Sequence, residues 1–175
     1  MDTKPFVRLA EPRVVNCPWL PPDLAEFYSQ HEGVGLESSL DRSVRLCRLE
    51  EVAHIRWKDL FTTSDDIPEG WKGFTALRIG VGIFGDEILY VLNAPSCPLG
   101  SVLAIGRDLA GPGGDGPFRM ESTLVLAASF PEWLTHLERW GWVEHALGAF
   151  ERSSESQQEV FQYYLALNPN ITRPV

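Results

Sequence analysis

Gly80-Val81-Gly82-Ile83-Phe84-Gly85 is a G-x-G-x-x-G run behind an apolar segment, a spacing that can bring backbone close to a pyrophosphate. That chemistry needs a helix to begin at the last glycine, so that its first N–H groups face the phosphate. Here Asp86-Glu87-Ile88-Leu89-Tyr90-Val91-Leu92 follows instead, strand-like and opening on two acids that repel phosphate. The run therefore predicts a hairpin turn. Gly111-Pro112-Gly113-Gly114-Asp115-Gly116 lacks the Gly-Lys-Ser/Thr ending of a phosphate loop and the repeated acids of a calcium loop. It predicts a connection or surface flap. His31, His54, His136 and His145 form no H-x-x-x-H pair, and none is near a cysteine in sequence, so no metal site is expected. Ser129 and His136 could be drawn into a triad, but Ser129 sits where a helix cap belongs, and no G-x-S-x-G elbow is present. No catalytic residue and no cofactor are expected.

The remaining chemistry is that of recognition. Acids are adjacent at Glu50-Glu51, Asp65-Asp66 and Asp86-Glu87. Adjacent side chains on a helix or strand point apart, so these are not ready-made acid/base pairs. They read as solvated surface or as a patch for a basic partner. Trp71 follows Asp65, Asp66 and Glu69, and an aromatic beside acids can anchor such a partner. The candidate contact residues are Asp65, Asp66, Glu69, Trp71, Asp86, Glu87 and Asp115. Trp57 and Trp133 fall on apolar faces and are expected in the core.

These groups need elements to position them. Pro21-Pro22 suits a helix start, with Leu20, Leu24, Phe27 and Tyr28 on one face and Gly33 as a left-handed C-cap. Ser43–Cys47 reads as a short strand. Leu49–Phe61 reads as a helix, with Leu49, Val52, Ala53, Trp57, Leu60 and Phe61 on its apolar side. Residues 65–70 form an acidic loop. Strands are expected over Phe74–Ile83, Glu87–Leu92, Ser101–Gly106 and Thr123–Ala127, with Gly85-Asp86-Glu87 as a turn. Ser129-Phe130-Pro131-Glu132 is a capping box for a helix carrying Trp133, Leu134, Leu137 and Trp140. A last helix spans about Ser154–Leu167, stopped by Asn168-Pro169. Strands joined by tight turns give an α+β class: a mainly antiparallel or mixed sheet of four to six strands, flanked by helices, with an added C-terminal helix.

Composition narrows the partner. The chain has 175 residues, 24 acids and 15 bases, for a formal charge of −9. That disfavours nucleic acid and anionic membrane, both of which attract basic surfaces. The charge is uneven: residues 1–40, 41–80, 81–120 and 121–175 carry nets of −3, 0, −2 and −4. Cys17, Cys47 and Cys97 are an odd set without a C-x-x-C pair, which is neither a disulfide framework nor a zinc signature. The first residues lack the apolar core of a signal peptide, and no stretch approaches 18 apolar residues. A cytoplasmic location is expected.

The order of these motifs resembles the SUKH superfamily, which includes Smi/Knr-type cell-wall regulators and bacterial toxin-immunity proteins. Leu20-Pro21-Pro22-Asp23-Leu24-Ala25-Glu26-Phe27-Tyr28 through Gly33 is similar to its opening "L-P-x-x-L-x-x-F/Y" helix and "N-G" exit, with Glu32 in place of asparagine. Ile79 through Val91 is similar to its central hairpin with a "G-D" turn. Gly100 through Asp108, then Leu126-Ala127-Ala128-Ser129-Phe130-Pro131-Glu132-Trp133-Leu134, resemble "G-x-V-x-x-x-x-H-D" and "L-A-x-S-F-x-E-W/F-L", with Arg107 in place of the histidine. The match covers roughly residues 18–140, which implies a SUKH-like domain over 1–150 and a C-terminal helical extension over 151–175. The resemblance implies a non-enzymatic domain that binds proteins, as a monomer or homodimer. An immunity protein neutralising a basic toxin such as a nuclease is the leading expectation. A housekeeping regulator or scaffold in envelope or signalling processes is the alternative.

Overall fold

The structure is a computed structural model, and it describes residues 7–9, 11–32, 45–56, 59, 72–81, 87–94, 97–105, 123–140, 162–163 and 166–168. Helix α1 (Pro22–Gln30) buries Leu24, Phe27 and Tyr28, the stripe expected from their spacing. Pro22 has no N–H to leave unsatisfied in the first turn. The Leu24 N–H is taken by Asp23 Oδ1 at 3.0 Å. The far end departs from the expected glycine cap. The helix stops at Gln30, and His31 is already extended at φ −131° and ψ 144°.

The physical reason lies in the segment before the helix. Strand β1 (Val7–Arg8) pairs antiparallel with β2 (His31–Glu32), so the chain must be extended directly after Gln30. The last carbonyls of α1, which a helix leaves without internal partners, are then met from outside. The His31 N–H reaches Phe27 O, Arg13 Nε donates to Tyr28 O at 2.8 Å, and the backbone N–H groups of Arg13 and Leu9 donate to Ser29 O and Gln30 O. The Arg13 guanidinium also opposes the negative end of the helix dipole.

The main sheet has six antiparallel strands: β3 (Arg45–Leu46), β4 (Ala53–Arg56), β5 (Thr75–Val81), β6 (Glu87–Asn93), β7 (Val102–Ile105) and β8 (Thr123–Ala127). Its path runs β3-β5-β6-β7-β8, and β4 shares the outer side of β5 with β3. Arg45 and Leu46 pair with Val81 and Gly80, and Ala53 to Arg56 pair with Arg78 to Thr75. One pass of chain thus covers both halves of β5, interrupted by a 3-10 turn at Leu49–Glu51. This corrects the helix expected over Leu49–Phe61. The 3–4 spacing of apolar residues there also contains a period-2 stretch, and Ala53 and Ile55 are half-buried while His54 and Arg56 are exposed. The ladder offered by β5 decides between the two periods. Trp57, Leu60 and Phe61 lie outside the described residues.

Gly80 is required where β3 docks, because a Cβ there would meet Arg45 O at 2.9 Å. The other hairpin strands lie where the sequence places them, and β8 has the bounds expected. The antiparallel sheet with its helices makes the class α+β.

Both faces of the sheet are buried. On one face Leu77, Ile79, Ile88, Tyr90, Val102 and Leu126 pack with Leu24, Phe27, Phe130 and Trp133 of the helices. Helix α2 (Phe130–Trp140) begins with the expected capping box. Ser129 Oγ accepts from the Glu132 N–H at 3.4 Å, while Glu132 Oε2 accepts from the Ala128 N–H at 3.0 Å, one residue upstream of the standard partner. Trp133, expected in the core, is 1% exposed. The other face gathers Phe74, Ala76, Leu89, Val91, Leu103 and Ile105. Residues 162–163 and 166–167 are helical, within the expected C-terminal helix, and Tyr163 stacks edge-on against His136 of α2 with ring centroids 4.4 Å apart.

Candidate partner-binding surface

Of the seven residues expected to contact a partner, Asp65, Asp66, Glu69, Trp71, Asp86 and Asp115 lie outside the described residues. Glu87 is described, and it is buried at 6% exposure. Its carboxylate faces Arg78 across the strand pair at 3.8 Å. A group so enclosed does not present itself to a partner. Adjacency to another acid in sequence carried no signal of this burial, since Glu87 is the first residue of β6 and pairs opposite Val81.

The buried polar groups on the helical side are structural. Tyr90 Oη donates to Asp23 at 3.0 Å, tying β6 to the first turn of α1. Burial and the Asp23 charge hold the Tyr90 hydroxyl well above its ordinary pKa. Tyr28 Oη donates to Cys47 O at 2.9 Å, and burial raises its pKa likewise. Burial pushes the Cys47 thiol up to about 11, so it is a protonated packing group at neutral pH rather than a nucleophile. Among the described residues, no group of three or more His, Cys, Asp or Glu is placed to hold a metal ion. No helix among them is long and apolar enough to cross a membrane.

Charge on the described surface is layered. At the outer edge of the sheet, acids and bases neutralise one another. Arg45 pairs with Glu51, and Arg56 pairs with Asp59 at 3.3 Å. The Arg48 N–H donates to Glu51, the largest influence holding that carboxyl below the usual range. The helical side differs. Helix α1 contains Asp23 and Glu26 but no Lys or Arg. Glu11, Glu26, Glu32 and Glu138 are all exposed on or beside the two helices. Of the bases on or beside these helices, Arg8 is paired with His31 across β1 and β2, Arg139 lies within α2, and Arg13 is turned onto the Tyr28 carbonyl.

One exposed aromatic lies where the two surfaces meet. Trp19, in the turn closed by the Leu20 N–H to Cys17 O bond, is 43% exposed, and its ring lies 5.4 Å from that of His54 on β4. Sequence reasoning did not single it out. The available signal was its setting, between Pro18 and Pro21-Pro22, where restricted backbone holds a large side chain outward. No family model matches this chain, and neither a curated protein nor a solved structure does.

Proposed function

We propose that this chain is a non-enzymatic protein-binding domain that engages a basic partner through its acidic helical layer, in its most specific form an immunity protein that neutralises a toxin by direct contact. The observation that carries the reading is the exposed set Glu11, Glu26, Glu32 and Glu138 on or beside two helices, the first of which contains no Lys or Arg. Opposite fields speed encounter and lose strength as salt rises. Trp19 adds a partly buried aromatic of the type that dominates binding energy at interface centres. The SUKH-like motif order supports the same reading.

The test is co-expression with a candidate basic toxin domain, followed by binding kinetics on the purified pair. Growth rescue, with association slowed by salt and slowed about tenfold or more by a Glu26→Lys/Glu32→Lys/Glu138→Lys chain, is the expected result. Failure to restore growth with any encoded neighbouring toxin, together with salt-independent association, would refute it. Capture of envelope or signalling proteins would favour the housekeeping alternative.

A further inference from the structure

Two tight turns stand near the first turn of α1, and each presents a large apolar side chain to solvent. In Pro98–Ser101 the Ser101 N–H closes on Pro98 O at 3.2 Å, and Gly100 takes φ +88°, the left-handed value such a turn demands at its third residue. The turn leaves Leu99 71% exposed. A Cβ at Gly100 would meet Tyr90 Oη at 3.2 Å, so glycine lets the turn close on the hydroxyl that Asp23 holds. In Cys17–Leu20 the Leu20 N–H closes on Cys17 O at 2.9 Å, and Trp19 stays 43% exposed beside His54. His54, Leu77 and Tyr90 stand opposite one another on β4, β5 and β6. His54 therefore lies two strand spacings, roughly 10 Å, from Tyr90.

The surface these turns frame is apolar around a fixed carboxylate. Trp19, Pro22, Pro98 and Leu99 are exposed and uncharged, in a chain with a formal charge of −9. Asp23 is half-exposed among them. Its Oδ1 accepts from the Leu24 N–H and from Tyr90 Oη, both at 3.0 Å, and Tyr90 Oη lies 3.3 Å from Oδ2. Those neutral donors orient the carboxylate without cancelling its charge. Among the described residues, no Lys or Arg forms an ion pair with it. A carboxylate has about four acceptor positions, so some remain for a donor from outside.

Given the basic partner proposed above, on which this rests, we infer that Asp23 receives an arginine side chain of that partner, with Leu99 and Pro22 covering its stem and Trp19 the apolar flank of the same segment. Charge complementarity selects a cation. The apolar frame selects arginine over lysine, because a guanidinium is more weakly hydrated than an ammonium and gives up less on leaving water. Its stem packs on apolar surface while its head reaches the carboxylate. Surrounding apolar contacts exclude water from the pair, the setting in which interface charges contribute most. Two hydrogen-bonded turns and a doubly held carboxylate are ordered before the partner arrives, which lowers the entropy cost of binding.

The probe is a leucine-arginine-leucine peptide, acetylated and amidated; its control carries citrulline, which keeps the shape of arginine and loses the charge. Titration of the full chain is followed by residue-resolved NMR. The arginine peptide should shift Leu99, the Trp19 indole and the Leu24 amide, and the citrulline peptide should bind about tenfold more weakly. Asp23→Asn should weaken the arginine peptide by a similar factor. Tyr90→Phe removes the same internal bond but keeps the carboxylate, so its affinity should stay within a factor of about three. Equal binding of the two peptides, no binding, or shifts confined to Glu26, Glu32 and Glu138 overturns the site. Equal losses in Asp23→Asn and Tyr90→Phe also overturn it, since the loss then comes from the fold. If Asp23→Asn does not fold, the citrulline comparison on the unaltered chain decides. The broader reading fails separately: a chain that holds the arginine peptide at Leu99 yet associates with the basic toxin domain independently of salt keeps this site and loses the acidic helical layer.

Discussion

Replacing Tyr90 with Phe removes one hydroxyl and leaves the ring, so it isolates the bond between β6 and α1. Tyr90 is 4% exposed, and its oxygen lies 3.0 and 3.3 Å from the two Asp23 oxygens. A hydrogen bond to a charged acceptor contributes about 1.5–3 kcal/mol. Asp23 keeps the Leu24 N–H at 3.0 Å and is itself half-exposed, so water recovers part of the loss. The expected cost of Tyr90→Phe is thus about 1–2 kcal/mol at neutral pH. Asp23→Asn should cost a similar amount, to which a lost helix-dipole contribution of about 0.3–1 kcal/mol adds. The double variant should cost less than the sum by about 1 kcal/mol, since each change removes the same bond. Urea unfolding of the four chains at constant m-value measures this. The bond also has a pH signature. Burial and then Asp23 raise the Tyr90 pKa in the fold, so the unfolded chain releases its proton first. The stability it confers is full below the ordinary tyrosine range and is lost as pH rises through and beyond it. Tyr90→Phe should lose less stability than the parent over that alkaline limb. Additive single and double effects, or parallel alkaline limbs, would refute the assignment.

Three further outcomes follow from other residues. Burial raises Cys47 from 9.0 to about 11, so its contribution is full below pH 9 and fades towards pH 11; Cys47→Ala should flatten that part of a Tm-against-pH curve. Gly80→Ala places a Cβ 2.9 Å from Arg45 O, which should loosen β3 and cost about 1–3 kcal/mol by thermal unfolding, with faster exchange at the Cys47 amide that bonds Ile79 O. Glu87→Ala should cost about 1–3 kcal/mol by leaving Arg78 without its partner in a partly enclosed site, while affinity for a protein partner, measured by calorimetry, should stay within a factor of about three.

The hairpin strands and both helix starts were legible because local signals and the final packing agree. Glycines, alternating apolar residues and a capping box each marked an element that the structure contains. The segment from Leu49 was not legible, because its residues satisfy two periods at once. Only β5, distant in sequence, selects the extended one, through four paired residues. The end of α1 failed for a related reason. Gly33 offers a left-handed cap, but β1 draws His31 and Glu32 into a ladder before that glycine is reached. Both misses lie where a non-local strand competes with a local preference, and Asn168 is the same kind of case. Read locally, Asn168-Pro169 is a helix stop; only the two hydrogen bonds between Asn168 and Val125 show that it closes against β8.

The acids divide on the same principle. A search for clustered charge finds adjacent pairs, yet adjacency along an extended chain separates two side chains to opposite sides. Glu87 turns inward towards Arg78, and in the 3-10 turn Glu51 is held by Arg45 and the Arg48 amide while its neighbour Glu50 is exposed. The carboxylates proposed for recognition are instead isolated residues on or beside helices: Glu26 within α1, Glu32 just past it, and Glu138 on α2. Their spacing in sequence is too wide to register as a cluster. Helices α1 and α2, which carry Glu26 and Glu138, meet through Phe27 and Phe130 with ring centroids 5.4 Å apart. Charge reversal there should alter association with a basic partner, whereas charge removal at Glu87 should alter the fold, and the contrast between those two sets separates a binding surface from a buried pair.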